Sequence, residues 1–324
     1  MDQHIDVSVI IPVYNNARSL QELGQRLDVS LSSCAPNYEV IFINDGSRDD
    51  STVELHKLCA SNLRFKAIIL SRNFGQHPAI CAGFEHARGE SVILMDADLQ
   101  DSPEHIPALL EALQRDDADI VYTIRKTADR KISTRLSSAL YHRIFSKIVN
   151  TDVPVNIGTF RAFKKNVLHA LLQFREVNVL YGPLMFYIGY RAAFVELPYI
   201  ARPHGVSSYT FRKRLKLAAN SLISYTDIPH RLSMYFGGLL LTGCVIYSLM
   251  IILQYAVFGA SLPSGSTLIL LVLCLTLGSI MVSLGIIGSY LFRVYEEVLR
   301  RPRYLVQDMV NVKKMSSNPC KDTA

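Results

Sequence analysis

Five short apolar runs follow one another through the first 125 or so residues: VSVIIPVY (7–14), YEVIFIN (38–44), KAIIL (66–70), SVILM (91–95) and DIVYTI (119–124). They are rich in Val and Ile, and polar residues do not alternate within them. This is the pattern of strands buried on both faces, since a strand with one wet face alternates apolar with polar residues. Amphipathic stretches separate the runs and carry helix-start signals. Asp49-Asp50-Ser51-Thr52 precedes one, and Ser102-Pro103-Glu104 offers a cap, a Pro at the first helical position and an acid in the first turn. The alternation predicts an α/β fold, a mostly parallel sheet with helices on both faces.

Sheets of this kind bind ligands beyond the carboxyl ends of their strands. The polar segments YNN, NDGS, SRNFG and DADLQD all fall there, so they are expected to converge on one edge. The last belongs to LMDADLQDSPE (94–104), which crowds four acids into one strand exit. Asp96 and Asp98 therefore stand on a loop, and Gln100 can add an amide oxygen. Mg²⁺ is commonly held by one or two carboxylates together with substrate phosphates, and that is the chemistry such a loop can support. A bare D-x-D is also a frequent surface turn, and Asp101 stays open between the two uses. His77, in GQHP, is read as a helix-start contact, and His204 lies beside Arg202. Gly75, Ala79 and Gly83, four residues apart, are read as close helix–sheet packing rather than a phosphate cradle. No H-E-x-x-H pattern supports a zinc hydrolase.

The second half of the chain differs in kind. From Leu232 to Phe292, 61 residues carry no Asp, Glu, Lys, Arg or His. Such a run has room for two helices of bilayer length, about 233–257 and 267–292, parted by Gly and Pro at Phe258–Ser266. The formal charge of +6 gathers on its flanks, at Arg212, Lys213, Arg214, Lys216 and Arg231 before it and Arg293, Arg300, Arg301 and Arg303 after it. The positive-inside rule then predicts a multi-pass protein of the inner (cytoplasmic) membrane, with the catalytic domain and both chain ends cytoplasmic. Three regions are expected: a domain over 1–230, a hairpin over 231–293 and a C-terminal segment over 294–324. The segments 129–149 and 208–231 read as basic amphipathic helices, suited to a headgroup interface or to packing on the sheet. In the first, Leu136, Leu140, Ile144 and Ile148 recur at i, i+4 beside Arg135, Arg143 and Lys147. The first residues show acids where a signal peptide has bases. Six cysteines without paired spacing fit a reducing compartment and argue against a zinc cluster.

The motifs VIIPVYNN, INDGSRDDS, LSRNFGQHPAICAGFEHARGE and LMDADLQDSPEHIP, in this order, resemble family 2 glycosyltransferases of the GT-A fold. With the later ARPHGVSSYTF and RVYEEVLRRPRYLV, the chain looks like the polyprenyl-phosphate glycosyltransferase branch, over roughly residues 5 to 310. The resemblance implies an inverting transfer of one sugar from a UDP- or GDP-linked donor to polyprenyl (undecaprenyl) phosphate at a membrane. It implies that Pro12 and Tyr14 line the nucleotide pocket and that Asp45 contacts the base or ribose. Asp96, Asp98 and Gln100 would hold Mg²⁺ or Mn²⁺ against the diphosphate. Arg125 and Arg135 would meet the lipid phosphate or the leaving diphosphate, with Arg202 and Ser207 on the acceptor phosphate. It implies a homo-oligomer and no nucleic-acid partner.

The chain also departs from that pattern. Where the family often reads D-x-G-D-F-R, it has Asn156-Ile157-Gly158-Thr159-Phe160-Arg161, with both acids missing. Ser208 stands where a Lys is common, Asn44 where an Asp is frequent and Asn16 where a Glu is. A phosphate monoester is largely dianionic at neutral pH, so such an acceptor needs no general base. Two other uses of the same sequence are a degenerate membrane scaffold, motivated by the missing acids, and a processive polysaccharide synthase. The absence of any Trp, and hence of a Q-x-x-R-W motif, opposes the latter.

Overall fold

The computed structural model describes residues 4–126, 157–174, 176, 179–198, scattered helical positions between 242 and 257, and 265–312. The chain divides into two compact units, one made of Met1–Ser207 with Pro302–Ala324, the other of Ser208–Arg301.

The first unit is a strand–helix alternation. β1 (Val7–Val13), α1 (Ala17–Cys34), β2 (Tyr38–Asn44), α2 (Ser51–Ser61), β3 (Phe65–Leu70), α3 (Gln76–His86) and β4 (Ser91–Leu94) come first. A 3₁₀ turn (Pro103–His105) leads into α4 (Ile106–Arg115) and β5 (Ile120–Lys126). Then follow β6 (Ile157–Lys164), α5 (Lys165–Gln173), α6 (Tyr181–Tyr187), β7 (Ala192–Pro198) and finally β8 (Val306–Val310). All five apolar runs are strands. They lie in one eight-stranded sheet of order β7-β5-β6-β4-β1-β2-β3-β8, in which β6 and β8 run antiparallel to their neighbours. The sheet is mostly parallel, as the missing alternation requires.

Both faces are covered. Val9, Ile11 and Val13 of β1 and Val40 and Phe42 of β2 face α1, α2 and α4, whose Leu20, Leu23, Leu27, Leu55 and Leu109 are buried. Ile10, Ile41 and Ile43 point the other way, toward α3, α5 and α6. Period-two strands between two helix layers thus bury nearly every side chain of β1 to β4, at roughly 1.5–3 kcal/mol for each large aliphatic one. Gly83 shows how tightly α3 lies on the sheet, for a Cβ there would sit 2.4 Å from Ile10 Cγ2. Of the spaced small residues Gly83 makes the expected contact, whereas Gly75 precedes the helix at φ +109° with its nearest neighbour 3.9 Å away.

β8 closes the sheet on the β3 edge. Around it Arg303 donates to the Phe174 carbonyl (2.7 Å) and contacts Cys81 Sγ (3.2 Å), and Tyr304 donates to Glu85. Asn311 Nδ2 donates to the carbonyls of Cys59 (2.7 Å) and Phe65 (2.9 Å).

In the second unit, α7 (Gly265–Val298) is a single helix of 34 residues. The expected multi-pass membrane placement is corrected here: among the described residues, no helix is long and apolar enough to cross a membrane. A span needs a sustained apolar run of about 20 residues. The described side chains of α7 include Thr276, Ser279, Ser283 and Gly288, and Glu296 and Glu297 lie in its last turn. Most of 233–257 and of the turn after it lies outside the described residues, as do both expected amphipathic helices.

Candidate active site

Four loops leave the carboxyl ends of β1 to β4 at one edge, and side-chain bonds tie them together. Asn15 N donates to Ser47 Oγ (3.0 Å), Asn16 N to Ser51 Oγ (3.1 Å) and Ala17 N to Asp49 Oδ2 (3.0 Å). The first loop therefore rests on the second. Asp45, at the end of β2, is buried and accepts from the amides of Phe74 (2.7 Å) and Gly75 (2.9 Å). Burial raises its pKa despite those two bonds and the nearby Arg72, which oppose the rise. Asp45 thus holds the β3–α3 loop, and any contact to a base or ribose is additional to that task. Gly46 lets the same loop pass close by. Its φ is +60°, and a Cβ would lie 2.4 Å from the Arg72 carbonyl carbon.

The acid-rich turn after β4 alternates. Ala97 and Leu99 are buried, while Asp96, Asp98 and Gln100 are partly exposed. Ser19 Oγ anchors the inward side by donating to the Ala97 carbonyl (2.7 Å). Leu99 adopts φ +59°, an uncommon conformation for a non-glycine residue. Gln100 N donates to Asp98 Oδ1 (3.1 Å), a local turn that aims the loop outward. Asp101, undecided from sequence, turns inward and is buried. Ser102 does not cap the following helix with its side chain; its hydroxyl instead accepts from Arg26 (3.2 Å).

Two residues that sequence reasoning did not assign touch the turn. Gln76, opening α3, donates to Asp96 Oδ1 (3.0 Å), and Thr159, in β6, donates to Asp96 Oδ2 (2.8 Å). Thr159 was conspicuous in the sequence only for the acid it replaces. Behind it Arg161 is buried and donates to the carbonyls of Thr159 (3.0 Å) and Gly158 (3.0 Å). Its guanidinium lies 5.6 Å from the centre of the Tyr122 ring. Burial lowers the Arg161 pKa, while Tyr122, Asp96 and Asp101 raise it. His77, next to Gln76, packs toward Tyr181 with ring centres 6.2 Å apart. Desolvation, reinforced by Arg161, brings its pKa down to about 4, so it is neutral at physiological pH.

Of the other sequence candidates, Pro12 sits within β1 and Tyr14 stands exposed just beyond it. Arg125 is a residue of β5. Arg135, Arg202 and Ser207 lie outside the described residues. Among the described residues no group of three or more His, Cys, Asp or Glu could hold a metal ion. Two carboxylates and an amide, all hard oxygen donors, suit a cation whose remaining ligands come from a diphosphate. They do not form an all-protein cage.

A family model described as glycosyl transferase family 2 matches residues 8–172. The chain is 32% identical to an uncharacterized glycosyltransferase, YkcC, of Bacillus subtilis, over 95% of each sequence. It is 33% identical to the undecaprenyl-phosphate 4-deoxy-4-formamido-L-arabinose transferase of Proteus mirabilis, over 98% of this chain and 97% of that one. Among solved structures it overlaps glucosyl-3-phosphoglycerate synthase from Mycobacterium tuberculosis, crystallised with Mn²⁺ and UDP-glucose. There the identity is 13%, the TM-score 0.49, and the coverage 68% of this chain and 77% of that one.

Proposed function

The chain belongs to glycosyl transferase family 2, and from that membership we propose that it moves one sugar, with inversion, from a nucleotide sugar to a polyprenyl phosphate. The observation that carries this reading is the outward alternation of Asp96, Asp98 and Gln100 at the carboxyl end of β4, beside three other polar loops. The acceptor class is supported by the name of the Proteus relative, matched over nearly the full length.

In this reading an oxygen of the lipid phosphate attacks the anomeric carbon in line. The bond from that carbon to the donor diphosphate breaks, and the nucleoside diphosphate leaves with the electron pair. The attacking oxygen is already anionic, so no residue has to remove a proton. Thr159 in place of an acid is compatible with that chemistry. Asp96, Asp98 and Gln100 would hold Mg²⁺ or Mn²⁺, which when bound neutralises charge on the departing diphosphate. The loops after β1 and β2, with Pro12, Tyr14 and Asp45, would take the nucleoside. Arg125, Arg135, Arg202 and Ser207 would take the acceptor phosphate, a task that suits the bidentate guanidinium fork.

The test is incubation of the purified protein with undecaprenyl phosphate, Mn²⁺ and a panel of UDP- and GDP-sugars. Nucleoside diphosphate and a lipid-linked sugar should appear with one donor. Asp98→Ala should lower kcat/KM about 10²–10³-fold or more, the scale of losing one electrostatic contact to the leaving group. Release of no nucleoside diphosphate from any donor would overturn the reading.

A further inference from the structure

The reaction outlined above leaves two neutral side chains without a role, and both grip the same carboxylate. Gln76 Nε2 bonds Oδ1 of Asp96 and Thr159 Oγ1 bonds Oδ2, at 3.0 and 2.8 Å. They reach it from different elements. Gln76 begins α3, while Thr159 lies in β6, which pairs antiparallel with β4.

Two bonds to two different oxygens fix rotation of the carboxylate, which a single bond would not. A carboxylate that ligates a cation depends on such outer hydrogen bonds for orientation, and their loss commonly costs ~10–100-fold in metal affinity. A carboxylate has about four lone-pair positions, so accepting from Gln76 and Thr159 is compatible with metal ligation. The neutrality of both donors matters as much as their geometry. A Lys or Arg in either place would cancel the charge that attracts a cation. An Asp or Glu at hydrogen-bond distance would force one of the two carboxyls to hold a proton or to share a cation. The hydroxyl itself is held in place from behind, because Arg161 grips the carbonyls of Gly158 and Thr159.

We propose that Gln76 and Thr159 are positioning residues that set the orientation of Asp96, and through it the affinity of the site for a divalent cation. This rests on the metal-assisted part of the proposed function.

The experiment titrates Mn²⁺ alone into the full chain and reads free Mn²⁺ by electron paramagnetic resonance, with melting temperatures measured separately in chelator. Thr159→Val removes the donor at nearly constant shape, Thr159→Ser keeps it, and Gln76→Leu removes the second donor. Thr159→Val and Gln76→Leu should each weaken Mn²⁺ binding ~10–100-fold, Thr159→Ser should bind like wild type, and melting in chelator should not move. A purely structural role would shift melting and would not separate Ser from Val. The two sites lie on different elements, so failure of one variant to fold leaves the other to decide. Wild-type Mn²⁺ affinity in both Thr159→Val and Gln76→Leu, alongside normal donor turnover by wild type, overturns the positioning role alone. A wild-type protein that neither binds Mn²⁺ nor releases nucleoside diphosphate overturns this inference and the function together.

Discussion

Asp96, Asp98 and Gln100 stay partly exposed while Ala97 and Leu99 are buried, and that alternation is what the proposed binding loop rests on. The acids were legible in the sequence; their division was not, since Asp101 looks like its neighbours until burial turns it inward. Gln76 and Thr159 were invisible as partners for the same kind of reason. A hydrogen bond between residues 20 or 63 positions apart leaves no local pattern. His77 gives a prediction at this scale. Its folded pKa, about 4, lies below the ordinary value of 6.5. The unfolded chain therefore binds more protons between those values, and stability falls as pH drops from about 6.5 toward 4. The limiting slope from this one group is about 1.4 kcal/mol per pH unit. Urea denaturation across that range should show the decline in wild type and a flatter profile in His77→Gln. Parallel profiles would place the imidazole in water.

At the scale of elements, α3 links packing to the site. Its first residue holds Asp96, and its Gly83 lies against Ile10 and Ile43 with no space for a methyl group. Gly83→Ala should cost about 1–3 kcal/mol of stability as an overpacked contact. It should also weaken Mn²⁺ binding if the helix relieves the clash by moving away from the sheet, rather than Ile10 and Ile43 by changing rotamer. Calorimetry and the Mn²⁺ titration check the two effects together. Strands β1 to β5 were readable because burial on both faces demands continuous Val and Ile. β8 was not, because VQDMV is short, carries an acid and lies on an edge where burial is incomplete. The helix start at Ser102-Pro103 was placed correctly, but its cap was misread, since Arg26 from α1 takes the hydroxyl.

At the scale of the whole molecule, charge counting went further than the described structure supports. A 61-residue uncharged run reads as two spans, yet among the described residues no helix is long and apolar enough to cross a membrane. The residues from Pro302 onward belong to the same compact unit as the sheet. Ending the chain at Arg301 would strip β8 from β3 and leave a row of unpaired backbone groups beside Ala67, Ile68 and Ile69. An open apolar edge invites pairing with another copy. The shortened protein should therefore melt lower and self-associate by light scattering, whereas an unchanged monomer would show that β8 is dispensable. The same closure has a consequence in time. Asn311 and Phe65, joined by a hydrogen bond, are 246 positions apart. At ~5–20 residues per second, a ribosome needs roughly 12–50 s to make the intervening chain. For that interval the nascent sheet waits with one side open, so a chaperone able to shield β3 would have its use during synthesis.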